Sequence, residues 1–196
     1  MNTICAKIEP FEASISELIA LLDRSRACGP KIVVAGERLA NALKAGGKIM
    51  TAGNGGSAAE ALHMTEELIG RFSRNRKSLA AICLAGDPTA LTCIANDYGY
   101  DEVFARQVEG LGLPGDVLVV FTSSGNSQNL IVALSRAKER GVQTIALLGK
   151  DGGKTRGLSD LEIIIPSQNT ARIQEVHQFI MHNWLAQIES ALFDGV

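Results

Sequence analysis

The sequence predicts an α/β fold: a doubly wound, five-stranded parallel sheet flanked by helices, with helices at the N-terminus and a long helix at the C-terminus. Three observations predict it. Short, continuously apolar runs recur from residue 48 onward, as expected of parallel strands that are buried on both faces. Segments of helical periodicity separate these runs, which is the alternation of an α/β domain. Polar loops follow two of the runs, where open α/β sheets bind ligands.

Length and composition are those of one soluble domain. The chain has 196 residues, 46 % hydrophobic and 20 % charged, which is enough to bury a sizeable core. A net charge of -2 without a basic patch argues against nucleic acid, and no apolar run approaches the roughly 20 residues of a membrane helix. Four scattered cysteines and no recognisable signal peptide predict a reduced, cytoplasmic protein. We expect its partner to be a small molecule.

We expect one domain over residues 1–196, with an N-terminal helical segment at 1–45 and an α/β core plus C-terminal helix at 46–196. Residues 7–44 have helical periodicity, interrupted at Cys28–Pro30 and ended by two glycines. The five predicted strands are 49–52, 78–84, 116–121, 143–148 and 161–166. The helices between and after them are predicted at 58–72, 88–95, 127–140 and 171–192.

The loop after the third strand is predicted to bind a phosphate. Four hydroxyl groups and a glycine lie within six residues at the start of a helix, on Thr122, Ser123, Ser124 and Ser127. A helix N-terminus offers unpaired N–H groups and the positive end of a dipole, and hydroxyls add rotatable donors. Helix capping explains one serine there, but not four hydroxyls.

The loop after the first strand contains Asn54, Gly55, Gly56 and Ser57. It lacks the lysine of a P-loop and is too compact for a dinucleotide fingerprint, so a sugar phosphate is the favoured ligand. Further on, Asn96 and Asp97 precede a glycine. They are typical of a turn, but they also suit a contact with sugar hydroxyls from the same sheet edge, and the sequence leaves both interpretations open.

The candidate chemical groups lie on two helices. His63 and Glu67 are four residues apart and therefore share a helix face. The last helix carries Gln174 and His182, which could line the same cleft. Imidazole, carboxylate and amide oxygen suit Zn²⁺ or another first-row divalent ion, although a histidine–glutamate pair is also typical of a surface contact. His177 lies on another face of the last helix and is interpreted as structural.

Six blocks in order closely resemble the phosphoheptose isomerases, members of the sugar isomerase (SIS) domain family with a flavodoxin-like fold. The blocks are Gly53–Ser57, His63 with Glu67, Asn96–Gly99, Thr122–Ser127, Gly149–Gly153, and Arg172–His177 followed by His182. The resemblance covers the chain from about Leu39 onward. One departure is visible, because the loop reads Thr-Ser-Ser where the family is expected to read Ser-Thr-Ser. Both orders keep three hydroxyls.

The resemblance implies conversion of sedoheptulose 7-phosphate to D-glycero-D-manno-heptose 7-phosphate through an enediol, the first step towards nucleotide-activated heptose for surface polysaccharide. It implies a homotetramer with active sites between subunits, so that a neighbouring subunit could supply the last helix. The substrate contacts it implies are Asn54, Gly55, Gly56, Ser57, His63, Glu67, Asn96, Asp97, Thr122, Ser123, Ser124, Ser127 and Gln174. It also implies one Zn²⁺ per subunit on His63, Glu67, Gln174 and His182, with Glu67 and His182 as the acid–base pair.

Two alternatives remain open at the level of sequence. One is a non-catalytic SIS-domain protein that binds a partner, similar to the bacterial replication-initiator-associating protein. The residues that are replaced in that group, Glu67 and His182, are both present here, which favours an enzyme. The other alternative is an isomerase of a different phosphosugar, because sequence does not give the size of the pocket. The role of Arg71 is also open.

Overall fold

The computed structural model describes residues 5–194, and contains one sheet of five parallel strands in the order β2-β1-β3-β4-β5. The strands are β1 (Ile49–Gly53), β2 (Ala81–Cys83), β3 (Val117–Thr122), β4 (Gln143–Gly149) and β5 (Leu161–Ile165). This is the flavodoxin-like order, so the predicted fold class is confirmed. The first four residues, where we expect no signal peptide, and residues 195–196 lie outside the described range.

Seven α-helices surround the sheet in the described part of the chain: α1 (Cys5–Ser25), α2 (Gly29–Lys44), α3 (Gly56–Ile69), α4 (Pro88–Tyr98), α5 (Ala105–Leu111), α6 (Gln128–Glu139) and α7 (Thr170–Phe193). The break between α1 and α2 falls at the predicted turn. Helix α5 was not predicted, because seven residues are too few to give a periodic signal. No helix within residues 5–194 is long and apolar enough to cross a membrane.

Alternate residues of each strand face opposite helical layers. In β3, Val117, Val119 and Phe121 pack into a core shared with α1, α2, α3 and α7. Leu118 and Val120 point the other way, into a core shared with α4, α5 and α6. Both faces of the sheet are therefore buried, which explains why its strands read as continuous apolar runs.

Most predicted boundaries differ from the observed ones by one or two residues, and three differ by three residues. One of these is the end of α4, which lies at Tyr98 and not at residue 95. Helix α3 ends at Ile69 and not at residue 72, because the guanidinium of Arg76 binds the carbonyl oxygens of its last turn. Strand β2 is only three residues long, because it is an edge strand that pairs with β1 alone, over Ile49–Thr51.

The chain reverses its direction across the sheet between β1 and β3, since β2 lies on one side of this pair and β4 on the other. Such a switch point opens a crevice at the carboxyl ends of the two strands. Both polar loops begin there, because β1 ends at Gly53 and β3 at Thr122. The prediction that the two loops share one sheet edge is confirmed.

Candidate active site

A cavity of about 220 Å³ lies at the switch point. Its lining is Asn54, Gly56, Ser57, Phe121, Thr122, Ser123, Ser124, Ser127, Thr170 and Gln174. Eight of these ten residues are among the thirteen substrate contacts that the resemblance implies. Helix α3 begins at Gly56, with Gly55 as its N-cap, and α6 begins at Gln128. The N-termini of two helices therefore lie at one cavity.

This cavity has the electrostatics of an anion site without a basic side chain. Neither lysine nor arginine lines it among residues 5–194, so two helix dipoles and backbone N–H groups supply the positive potential. Ser127 is the N-cap residue of α6, but its side chain makes no capping hydrogen bond. The Thr122 and Ser124 hydroxyl oxygens accept bonds from the N–H groups of Gly125 and Asn126, which leaves their protons free to be donated to a ligand.

The loop after β3, residues 122–127, which is the candidate phosphate loop, is held in shape by the segment that follows β4. The N–H and hydroxyl of Thr155 both donate to the Gly125 carbonyl, each at 2.8 Å. Gly125 has φ +65°, and a Cβ added there would lie 2.0 Å from the Gly152 carbonyl oxygen. Only glycine fits this position. The Gly149–Gly153 block therefore supports the loop through backbone contact.

The first loop is anchored by an asparagine that sequence reasoning missed. The amides of Asn54 and Asn129 exchange two hydrogen bonds of 2.9 Å, and the Tyr100 hydroxyl donates to the Asn54 oxygen. Asn129 is buried at the start of α6. Since this pairing joins positions 75 residues apart, no local pattern could have revealed it. It ties the two loops of the cavity together.

A second group of side chains joins α3 to α7. His63 Nε2 lies 3.3 Å from Glu67 Oε1. The Gln178 amide nitrogen lies 2.6 Å from His63 Nδ1 and 3.0 Å from His182 Nε2. If the amide donates to both rings, His63 Nε2–H donates to Glu67. The two rings meet edge to face at 5.2 Å. One chain is therefore sufficient to bring His63, Glu67 and His182 together.

A carboxyl group that sequence analysis passed over lies on the same helix. Glu60 is 6 % exposed, and it shares the face of α3 that carries His63 and Glu67. Burial raises the pKa of Glu60 to about 8, an effect that the Ser57 hydroxyl partly offsets. Within the described chain, neither carboxyl oxygen completes a hydrogen bond of normal geometry. Glu60 is therefore largely protonated near neutral pH.

His177 is confirmed as a structural residue. It is fully buried, with Nε2 3.3 Å from the Leu148 carbonyl oxygen. Burial lowers the pKa of His177 to about 4, against the opposing effect of that hydrogen bond. It is therefore neutral at physiological pH and packs beside Phe121.

Comparison with known proteins decides the family. The SIS domain model matches residues 12–149. The phosphoheptose isomerase of Halorhodospira halophila is 47 % identical over 94 % of this chain and 93 % of its own. The structure of the phosphoheptose isomerase from Neisseria gonorrhoeae aligns with a TM-score of 0.86 at 41 % identity, over 93 % of this chain and 98 % of its own. The structure of a phosphoheptose isomerase from Francisella tularensis aligns with a TM-score of 0.87 at 36 % identity, over 97 % of this chain and 100 % of its own.

The chain belongs to the phosphoheptose isomerase family of SIS-domain proteins. It is a phosphosugar isomerase. The resemblance stated from six sequence blocks is thereby confirmed. The roles of individual residues rest on the geometry of this chain.

The donors on α3 and α7 of this isomerase fit a divalent ion. His63 Nδ1 and His182 Nε2 both face the Gln178 amide, and the other ring nitrogen of His63, Nε2, faces the Glu67 carboxylate at 3.3 Å. Ligand atoms of His63, Glu66 and Glu67 also lie within 4.8 Å of one another. Imidazole, carboxylate and amide oxygen are ligands that Zn²⁺ accepts.

Three predicted residues lie elsewhere in the isomerase. Gln174, expected with the histidines, lines the cavity instead, where its amide nitrogen would be 2.3 Å from a Cβ placed on Gly56. Asn96 and Asp97 are in the last turn of α4, exposed and bonded to each other. They are not among the residues that line the cavity. The residue that contacts both histidines is Gln178, one turn after Gln174.

Proposed function

We propose that this isomerase converts sedoheptulose 7-phosphate to D-glycero-D-manno-heptose 7-phosphate through an enediol. The observation that carries the proposal is that α3 joins an anion cavity to an imidazole–carboxylate group. Ser57 lines the cavity at the start of the helix, and His63 follows about 9 Å along its axis at 1.5 Å per residue. A sugar chain whose phosphate is held at one end would present its carbonyl end to the other.

The phosphate would be bound by Thr122, Ser123, Ser124 and Ser127 and by the N–H groups at the two helix starts. Asn54, Gly55, Gly56, Ser57 and Gln174 would form the wall beside the sugar chain. Fixing one end of the substrate makes proton transfer at the other end effectively intramolecular. The enzyme thereby uses binding energy from the phosphate to position the carbon atoms that react.

Glu67 and His182 would act as the acid–base pair. Isomerisation moves a proton between two adjacent carbons and a second proton between their oxygens, which requires one group to accept and another to donate. His63 supports this role, because its Nε2 lies 3.3 Å from the Glu67 carboxylate. The ring of His182 is held between His63 and Phe72, so its orientation is restricted before substrate binds.

Zn²⁺, one per subunit, would be held by His63, Glu67, Gln174 and His182, and for this the Gln174 side chain would have to turn from the cavity lining towards the two histidines. When bound, such an ion supplies Lewis-acid polarisation of a carbonyl oxygen. Gln178 would fix the two histidine rings relative to each other, since its amide contacts both.

The proposal extends to assembly and cellular role. A homotetramer would cover the apolar side chains that α1 exposes, including Phe11, Ile15 and Ile19, and active sites at subunit interfaces would bring Asn96 and Asp97 to the sugar. The product would enter synthesis of nucleotide-activated heptose in the cytoplasm. Light scattering after size exclusion tests the assembly, with a mass four times that of the chain expected.

A coupled assay of the purified protein with sedoheptulose 7-phosphate tests the function. Turnover that is lost with chelation and restored by Zn²⁺ is the expected result. Full activity after verified metal removal would contradict the role of the ion but not the isomerase. Preferential turnover of a pentose or ketohexose phosphate would show that the enzyme isomerises a different phosphosugar. No turnover of any phosphosugar would favour the non-catalytic alternative.

A further inference from the structure

The segment that follows α3 is tied to α7 by one buried carboxylate. Glu189 lies two turns beyond His182 on α7 and is 1 % exposed. Its oxygens accept bonds from the N–H groups of Phe72 and Ser73, both 3.2 Å, and from the Ser73 hydroxyl at 2.6 Å. Burial alone would raise the pKa of Glu189, but the bonds from Ser73 and Arg76 and from the two N–H groups hold it at about 2.

Arg76 completes this arrangement and ends α3. Its Nε donates to Glu189 at 2.9 Å, and the two side chains are 1 % and 2 % exposed. Its other nitrogens donate to the carbonyl oxygens of Leu68, at 2.9 Å, and Glu67, at 2.7 Å. A buried ion pair is stable only when its remaining hydrogen-bonding groups are satisfied, and here both partners bind backbone. The pair therefore fixes where α3 ends.

Both ends of the pair lead to residues of the proposed acid–base group. Glu189 fixes the backbone of Phe72, whose ring stacks on His182 at 5.6 Å with an interplanar angle of 28°. Arg76 fixes the backbone of Glu67. We infer that Glu189 and Arg76 are positioning residues of the isomerase, which hold the His182 ring and the Glu67 carboxylate in the orientation needed for proton transfer. The inference rests on the proposed function, in which those two groups transfer the protons.

The kinetic test compares the Glu189→Gln, Arg76→Lys and Phe72→Leu variants. We expect kcat for sedoheptulose 7-phosphate to fall about 10- to 100-fold in Glu189→Gln, the cost of a small misplacement. KM should change less than about twofold, because the phosphate loop does not contact the pair. Arg76→Lys keeps the charge and should retain more activity. Combining Glu189→Gln with Phe72→Leu should cost no more than the larger single loss, because both act through one ring.

Asp116→Asn is the matched control for a purely structural role. Asp116 is also a buried carboxylate, paired with Lys48 and bonded to the N–H groups of Lys48 and Leu113, but it directly precedes β3 and so lies at the amino end of that strand, away from the loops at the carboxyl ends. We expect both variants to lower Tm and only Glu189→Gln to lower kcat. Equal kcat in Glu189→Gln and the wild type, or additive losses with Phe72→Leu, would overturn the inference.

Two readouts do not depend on activity. Hydrogen exchange at the amides of Phe72 and Ser73 should accelerate in Glu189→Gln and stay slow in Phe72→Leu. The ring-proton resonances of His182, assigned by their loss in His182→Gln, should shift in both variants as the Phe72 ring moves. If the wild type turns over no phosphosugar, the proposed function fails, and these two readouts still decide whether the pair positions His182. Unchanged His182 resonances in Glu189→Gln would reject the inference. If Glu189→Gln does not fold, unchanged His182 resonances in Arg76→Lys would reject it instead.

Discussion

The two halves of the site are built in different ways. The proposed phosphate cavity is formed by short segments at two strand ends, and the N–H groups at two helix starts supply its positive potential. The proposed acid–base group is formed by side chains of α3 and α7 that are 115 residues apart in sequence. The first half depends on local chain geometry and the second on the packing of two helices. Binding and chemistry should therefore respond separately to substitution.

The largest effect is expected in the second half. Glu67→Gln or His182→Gln should lower kcat by at least about 10³-fold, because general acid–base catalysis contributes up to about 10⁴-fold. Circular dichroism and the oligomer mass should match the wild type, since both side chains are partly exposed. Steady-state assays of purified variants measure the effect. Near-wild-type turnover by either variant would refute the assigned roles.

Gly125→Ala should damage the first half. A Cβ at φ +65° and 2.0 Å from the Gly152 carbonyl oxygen forces the loop to move, so phosphate binding should be lost and the free energy of unfolding should fall by more than about 1 kcal/mol. Gly110→Ala is the matched control, because that glycine lies within α5 with no atom near its Cβ position. Denaturant titration and calorimetric phosphate binding measure both variants. Equal stability of the two would show that the loop is not constrained as described.

Ser127→Ala should give a smaller effect that is confined to binding. The side chain makes no capping bond, so stability should change by less than about 0.5 kcal/mol. Loss of a hydrogen bond to a charged ligand costs about 1.5–3 kcal/mol, which predicts a KM increase of roughly 10- to 150-fold. A decrease in kcat with unchanged KM would mean that Ser127 acts in the chemistry and that the two halves are not separate.

The last effect is on stability and not on binding or chemistry at the site, and it concerns Glu60, which lies on α3 between the two halves. Its pKa is near 8 in the folded chain against an ordinary value of 4.5, so the folded state holds the proton more tightly. The resulting stability is complete below pH 4.5 and is lost as pH rises through 8. Glu60→Gln lacks this loss, so its Tm relative to the wild type should increase between pH 5 and pH 8.5. A Tm difference independent of pH would show that Glu60 titrates normally.

The same contrast explains how much could be predicted from sequence. The strands follow from apolar runs and their alternation with helices, their flavodoxin-like order follows from the family resemblance, and the candidate phosphate loop follows from contiguous residues at 122–127. Gln174, Gln178 and His182 recur every four residues, so periodicity places all three on one face of α7 and cannot decide which contacts the histidines. Only the packing of α3 against α7 selects Gln178. Glu189, Arg76 and Asn129 were missed for the same reason, since their partners are distant in sequence.

Calorimetric titration of sedoheptulose 7-phosphate into the Glu67→Gln variant tests the central claim most directly. If the phosphate cavity and the acid–base group are separate parts of one site, the variant should bind substrate with a Kd within a few-fold of the KM of the wild type while producing no heptose phosphate. Loss of binding together with turnover, or turnover that persists, would contradict the account.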